Sequence, residues 1–113
     1  MPSLEQLTED RRDGSLRYFK PFDLGKYWLS VQACELHSCS PKETLDNPTQ
    51  YESFEIAILS RDKRVIQPRA EEELKNFWWV TLFEREASNP VAEYIEATTV
   101  QQILDNLANE ELQ

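Results

Sequence analysis

Two separate segments of this chain alternate apolar and polar residues, and this alternation constrains the fold more than any other feature. In the first segment, Lys26–Leu36, the side chains of Leu29, Val31 and Ala33 fall on one face. In the second, Glu52–Leu59, three large apolar side chains alternate with polar or small ones. Because successive side chains of a strand point to opposite faces, both patterns predict half-buried strands.

The C-terminal region instead repeats its apolar residues with the period of a helix. Four of them fall at i, i+3, i+4 and i+7 and form one apolar stripe, with Thr98 or Thr99 as the predicted N-cap. The stripe consists of Val100, Ile103, Leu104 and Leu107. Together the patterns predict an α+β fold, a mostly antiparallel sheet of three to five strands with the C-terminal helix packed on one face.

Shorter patterns predict the remaining elements. Ser3 and Gln6 match a capping box that begins a helix, which Gly14 would end, and Ser40-Pro41 matches the start of a helical turn. The predicted set is a helix over residues 4–12, a helical turn after Ser40, and strands over Arg64–Gln67, Phe77–Glu84 and Val91–Glu96.

Phe77–Glu84 is apolar on both faces, which favours a strand in the middle of the sheet. The second sheet face, called here the aromatic face, would then display Trp28, Phe77, Trp79 and Phe83. The N-terminal segment with Leu16, Tyr18, Phe19 and Phe22 would cover this face, or a second copy of the chain, another partner or a small ligand would do so. If it is uncovered, Trp28, Trp79 and Phe83 are predicted to bind the partner.

The length of 113 residues predicts a single domain, 1–113, in which residues 1–25 form a looser N-terminal segment. The sequence has neither an apolar run long enough to span a bilayer nor the pattern of a signal peptide at its start. Cys34 and Cys39 are interpreted as reduced thiols. We therefore expect a cytoplasmic protein.

The negative charge is concentrated toward the C-terminus. The chain has a net charge of −9, and residues 86–113 contain six acidic residues without a lysine or arginine. A surface of this kind repels nucleic acid and acidic lipid, so we expect no direct binding to either and a protein partner with a basic surface instead. The predicted binding glutamates are Glu93, Glu96, Glu110 and Glu111. The alternative is that the acidic residues only maintain solubility.

Cys34, His37 and Cys39 form the compact pattern C-x2-H-x-C, whose residue types occur in metal sites and in nucleophilic sites. A closed zinc site needs four ligands, and a nucleophilic cysteine needs a positioned base and oxyanion donors, so we expect no metal and no catalytic residue here. The two glycines, Gly14 and Gly25, are too few for a glycine-rich phosphate-binding loop, and we expect no cofactor.

The sequence therefore predicts a small acidic, non-catalytic protein-binding domain. It would act as an adaptor, inhibitor or antagonist of a basic protein, including one that binds nucleic acid. The alternatives are a small thiol or metal-dependent enzyme centred on Cys34, His37 and Cys39, and a structural subunit of an oligomer, such as a homodimer formed through the aromatic face.

Overall fold

A computed structural model describes residues 2–86 and 88–109 as two antiparallel sheets and one α-helix. A hairpin of β1 (Glu9–Asp13) and β2 (Leu16–Phe19) forms the smaller sheet. The larger has the order β3 (Phe22–Asp23), β4 (Trp28–Gln32), β5 (Ser53–Leu59) and β6 (Ala92–Glu96). The helix α1 (Ala97–Leu107) follows β6 directly, and 3₁₀ helices lie at Leu4–Gln6, Pro48–Gln50, Pro68–Ala70 and Trp78–Leu82. The predicted α+β class is confirmed.

The core lies between the larger sheet and α1. Leu29 pairs with Ile58 and Val31 with Ile56 across β4 and β5, and all four side chains are buried. The predicted helical stripe faces them, because its four side chains belong to the same buried cluster. None of the helices in the described part of the chain is long and apolar enough to cross a membrane.

The N-cap of α1 lies two or three residues earlier than predicted. Glu96 is the N-cap, and neither Thr98 nor Thr99 occupies that position. The chain passes from β6 straight into the helix, where the N–H of Ala97 donates to the carbonyl of Glu52 at 3.0 Å. Because a neighbouring strand end accepts this helical N–H, the threonine cap is not needed.

The predicted helix over residues 4–12 is wrong. Gln6 does accept a hydrogen bond from the N–H of Ser3, but the helix is a single 3₁₀ turn, and the chain then enters β1. Gly14, at φ +62°, lies in the hairpin turn instead of ending a helix. With few apolar residues to bury, the segment gains more from pairing with β2, which supplies Arg17 and Phe19 to the interior.

The hairpin packs against the C-terminal end of β4. The side-chain amide of Gln32 on β4 donates to the carbonyl of Phe19, and its oxygen accepts from the N–H of the same residue. The ring of Tyr18 packs edge-on against His37 with the centroids 5.3 Å apart. Residues of the N-terminal segment therefore lie against the end of β4 and the loop that follows it.

The predicted strand Phe77–Glu84 is also wrong, because this segment forms the 3₁₀ helix Trp78–Leu82. Trp79, Val80 and Phe83 are buried together, which is the spacing of a helical turn. The indole of Trp79 stacks on Phe77 and donates to Asn106 of α1 at 2.8 Å. The segment packs against the helix instead of entering the sheet, so the aromatic face does not form.

Three shorter elements also differ from their predicted bounds. The predicted strand Arg64–Gln67 is reduced to one bridge between Leu59 and Val65, and β4 ends at Gln32 instead of Leu36. No helical turn follows Ser40, which pairs with Ser53 as extended chain. The turn lies instead at Pro48–Gln50, where the side chain of Asn47 caps it.

Candidate functional site

The strand β6 lies at one edge of the larger sheet and carries two of the predicted binding residues. Glu93 and Glu96 are both exposed, and within the described residues β6 is hydrogen-bonded to β5 alone in the sheet order. Glu96 lies opposite Ser53 in the strand register. This edge therefore presents charged side chains directly to solvent.

A β-bulge in this strand projects an aromatic side chain. Phe54 pairs with Ile95 and Ile56 with Ala92, so two steps along β5 oppose three along β6. Tyr94 lies within the bulge at φ +54°, and its N–H donates to the carbonyl of Ser38 at 3.0 Å. Its side chain remains 52% exposed. The bulge therefore turns Tyr94 outward between the two glutamates.

Two glutamates of the neighbouring segment complete a cluster that we call the acidic edge. Glu52 is exposed and Glu55 is partly buried. Ser38 connects two of the glutamates, because its N–H donates to Glu55 at 3.2 Å and its hydroxyl donates to Glu93 at 2.6 Å. The acidic edge consists of Ser38, Glu52, Glu55, Glu93, Tyr94 and Glu96.

The carboxylates of the acidic edge are not neutralised by ion pairs. The part of the chain that the structure describes contains six ion pairs, and all of their acidic members lie elsewhere. For example, Asp23 pairs with Arg61, and its hydrogen bond to that guanidinium holds the pKa of the carboxyl below its usual range. The four glutamates of the acidic edge therefore contribute an uncompensated negative field at one side of the sheet.

The three predicted aromatic binding residues do not belong to this surface. Trp79 and Phe83 are buried in the core, at 0% and 2% exposure, because the 77–83 segment is helical. Trp28 is partly exposed, but Arg61 and Lys63 lie over its ring at 4.7 and 4.5 Å. Glu110 and Glu111, the other two predicted glutamates, lie outside the described residues.

Cys34, His37 and Cys39 form a buried cluster without the features of a nucleophilic site. Both thiols are free, and the Cys39 thiol donates to the carbonyl of Cys34 at 3.3 Å. Burial raises the pKa of Cys39 and lowers the pKa of His37. These shifts favour a protonated thiol and a neutral imidazole, whereas a reactive cysteine needs the thiolate. Among the described residues, no group of three or more His, Cys, Asp and Glu side chains is arranged to hold a metal ion.

Sequence reasoning missed Tyr94, Glu52 and Glu55 as members of the site. Glu55 lies on the polar face of the second predicted strand and could have been found there, whereas Glu52, the first residue of that strand, has the parity of its apolar face. Tyr94 could not, because the bulge depends on how β6 meets β5 and Ser38.

No protein-family model matches this chain, and comparison with curated proteins and with solved structures found no significant match.

Proposed function

We propose that this chain is a small acidic, non-catalytic protein-binding domain that engages a basic protein surface through the acidic edge. The observation that carries this proposal is the set of four glutamates without ion pairs around the outward-turned Tyr94. Uncompensated charge of one sign raises the rate at which an oppositely charged partner is encountered. The domain would act as an adaptor, or as an inhibitor or antagonist that occludes the basic surface.

An exposed aromatic side chain gives this charged surface apolar area to bury. Tyr94 lies within the acidic edge and is 52% exposed. Tyrosine is enriched among the residues that dominate binding energy, because it buries a large ring at a small cost in conformational entropy. A central aromatic residue with a charged rim is the usual composition of a transient protein interface.

Other features support a partner that is a protein inside the cell. The negative field disfavours contact with the phosphates of nucleic acid or with acidic lipid. The two buried cysteines are free, as expected in a reducing cytoplasm. The aromatic face, through which a homodimer was one alternative, does not form, because Trp79 and Phe83 are buried in the core, and we therefore place the interface at the acidic edge.

The test is a capture experiment with two variants that lose the same number of charges. One variant carries Glu52→Gln, Glu55→Gln, Glu93→Gln and Glu96→Gln. The control variant carries Glu5→Gln, Glu43→Gln, Glu84→Gln and Glu86→Gln, at exposed positions outside the acidic edge. Glutamine keeps a hydrogen-bond acceptor at each site but removes the charge.

We expect a basic protein to be retained from the native extract by the wild type and by the control, and lost from the variant of the acidic edge. Equal retention by all three would exclude the acidic edge as the binding surface. Equal loss from both variants would show that only the total charge matters, and this would also contradict the proposal.

A further inference from the structure

The loop between β4 and Ser40 carries an imidazole into the interior of the protein. His37 is 6% exposed, and its ring packs edge-on against Tyr18 of β2 with the centroids 5.3 Å apart. The Nδ1 atom of this ring is buried and has no hydrogen-bond partner among the described residues. The imidazole therefore joins the loop to the N-terminal hairpin by packing, while one of its nitrogens is left unsatisfied.

The peptide unit that follows His37 joins the same loop to the larger sheet. The N–H of Ser38 lies in one rigid plane with the carbonyl of His37 and donates to Glu55 of β5 at 3.2 Å. Ser38 also contacts β6, because its carbonyl accepts from the N–H of Tyr94 at 3.0 Å and its hydroxyl donates to Glu93 at 2.6 Å. A movement of the backbone at His37 would disturb the bonds that hold the bulge.

The surroundings of His37 favour the neutral ring. Burial is the main cause that lowers its pKa, and the guanidinium of Arg17 on β2 acts in the same direction. The carboxylate of Glu55 opposes them, but it already accepts a hydrogen bond from the loop. The other titratable side chains on β1, β2 and the loop itself are those of Arg11, which lies over the ring of Tyr18, and of Tyr18, Cys34 and Cys39.

Protonation would place a charged donor where the interior offers no acceptor. The added proton turns both ring nitrogens into donors, and the described residues give Nδ1 nothing to donate to. Burying a charged donor without a partner costs more than leaving a neutral nitrogen unpaired. The protonated ring is therefore more stable in water than in its place beside Tyr18.

We propose that His37 and Ser38 form a pH-sensitive latch between the N-terminal hairpin and the bulge of β6. With a neutral ring the latch is closed, and Ser38 holds Glu55 and Tyr94. Protonation moves the ring into solvent, and the peptide unit attached to it gives up these bonds. The latch is a property of the fold and does not depend on what the domain binds.

The experiment measures hydrogen exchange of backbone amides by NMR between about pH 7.5 and about pH 5.5, with each rate corrected for the intrinsic pH dependence of exchange. The reporters are the N–H groups of Ser38 and Tyr94. The reference is the N–H of Ile66, which donates to the carbonyl of Ile58 at 3.0 Å, outside the loop. We expect exchange at the reporters to increase by up to about tenfold as the pH falls, and exchange at the reference to stay constant. Tenfold is about what one proton supplies when it binds the open state alone with a pKa near 6.5.

The wild type also links this opening to the imidazole. The ring protons of His37 should shift with a midpoint below about pH 6.5, because the closed state binds the proton less readily than the open one. The increase in exchange at Tyr94 should begin above this midpoint and level off near it. A ring that titrates while exchange at Tyr94 stays constant would overturn the proposal, since the imidazole would then move without the loop.

Two variants of the loop complete the test. His37→Gln removes the titrating group and should make the corrected exchange at Ser38 and Tyr94 independent of pH. Glu35→Gln, at an exposed position of the same loop, should behave like the wild type. A pH dependence that survives in His37→Gln would overturn the latch, and so would an equal increase at Ile66, which would show that the whole domain unfolds. If His37→Gln does not fold, the wild-type comparison of ring titration and exchange decides.

Discussion

Arg17 places a guanidinium in the interior of this protein with no ion-pair partner among the described residues. It is 1% exposed and donates to the carbonyl of Ala33 at 2.5 Å, to the carbonyl of Leu45 at 2.7 Å and to the hydroxyl of Tyr51 at 2.9 Å. The same group lies 4.2 Å from the ring centroid of Phe19. One side chain thus joins the N-terminal hairpin to the end of β4 and to the loop before β5.

Replacing Arg17 by methionine should lower the free energy of unfolding by roughly 2–5 kcal/mol, because carbonyl groups that it bonds lose their donor within the protein. Arg11→Met, at an exposed position on the same hairpin, should change it by less than about 1 kcal/mol. Urea denaturation of both variants measures the difference. Equal, small effects would mean that water replaces the guanidinium at little cost.

His37 should make stability depend on pH near neutrality. Its ring is buried against Tyr18, with Glu55 and Arg17 as the charged groups that act on it, and burial lowers its pKa below the usual value. The unfolded chain therefore binds the proton more readily than the folded one. The contribution of His37 to stability is largest above about pH 6.5 and is lost as the pH falls toward the lower, folded-state pKa.

The measurement compares the wild type with His37→Gln, which removes this titration and leaves the carboxylates in place. As the pH falls from about 7.5 to about 5.5, the unfolding free energy of the wild type should fall relative to that of the variant. A difference that stays constant over this range would show that the imidazole titrates alike in the folded and unfolded chains.

At the scale of elements, the contact between α1 and the sheet dominates the core. Leu104 is fully buried in the cluster that contains Phe54 and Ile56. Leu104→Ala should lower the unfolding free energy by roughly 2–5 kcal/mol, because it removes apolar contacts and leaves a cavity. Asp105→Ala removes one side-chain bond to Gln101 on the partly exposed side of the helix and should be nearly silent. Urea melts in which both variants lose the same stability would contradict this packing.

Elements whose side chains repeat with one clear period were predictable from sequence. The strand Ser53–Leu59 places its largest apolar residues on one face, although all of its residues except Glu55 are buried, and the helix Ala97–Leu107 buries one stripe. Both sets are visible as a period in the residues. Phe77–Glu84 has no such period because nearly all of its residues are apolar. Burial then fits a strand or a helical turn equally well, and the contact of Trp79 with Asn106 decides the outcome through residues far away in the chain.

The residues of the candidate site also include some that the sequence indicates and some that it does not. The charge of residues 86–113 pointed to Glu93 and Glu96, and the structure places both on an exposed edge. Trp79 and Phe83 were assigned to an exposed face because an incorrect strand put them there. The outward position of Tyr94 depends on a bulge, which leaves no signal in the sequence.

The whole molecule is electrically asymmetric along β5. Glu52 lies just before its first end, followed by Ser53 and Glu55. At its other end Leu59 pairs with Trp28, whose ring has Arg61, ion-paired with Asp23, and Lys63 over it. Six residues of strand separate these ends by about 20 Å. That distance exceeds the screening length of about 8 Å at physiological salt, so the basic end does not cancel the acidic edge.

The association rate with a captured basic partner should therefore fall by roughly tenfold between about 20 and about 150 mM salt, because screening removes the long-range attraction. The variant with glutamine at the four positions of the acidic edge should associate slowly at both salt concentrations. Its thermal midpoint should change little, since three of the four charges are exposed and glutamine at the partly buried position 55 still offers an acceptor to the N–H of Ser38. Double-stranded DNA should not bind at either concentration.

Stopped-flow or surface-binding kinetics on the wild type and both glutamine variants measure these rates. A rate for the wild type that is independent of salt and matched by the variant would leave solubility as the role of these glutamates.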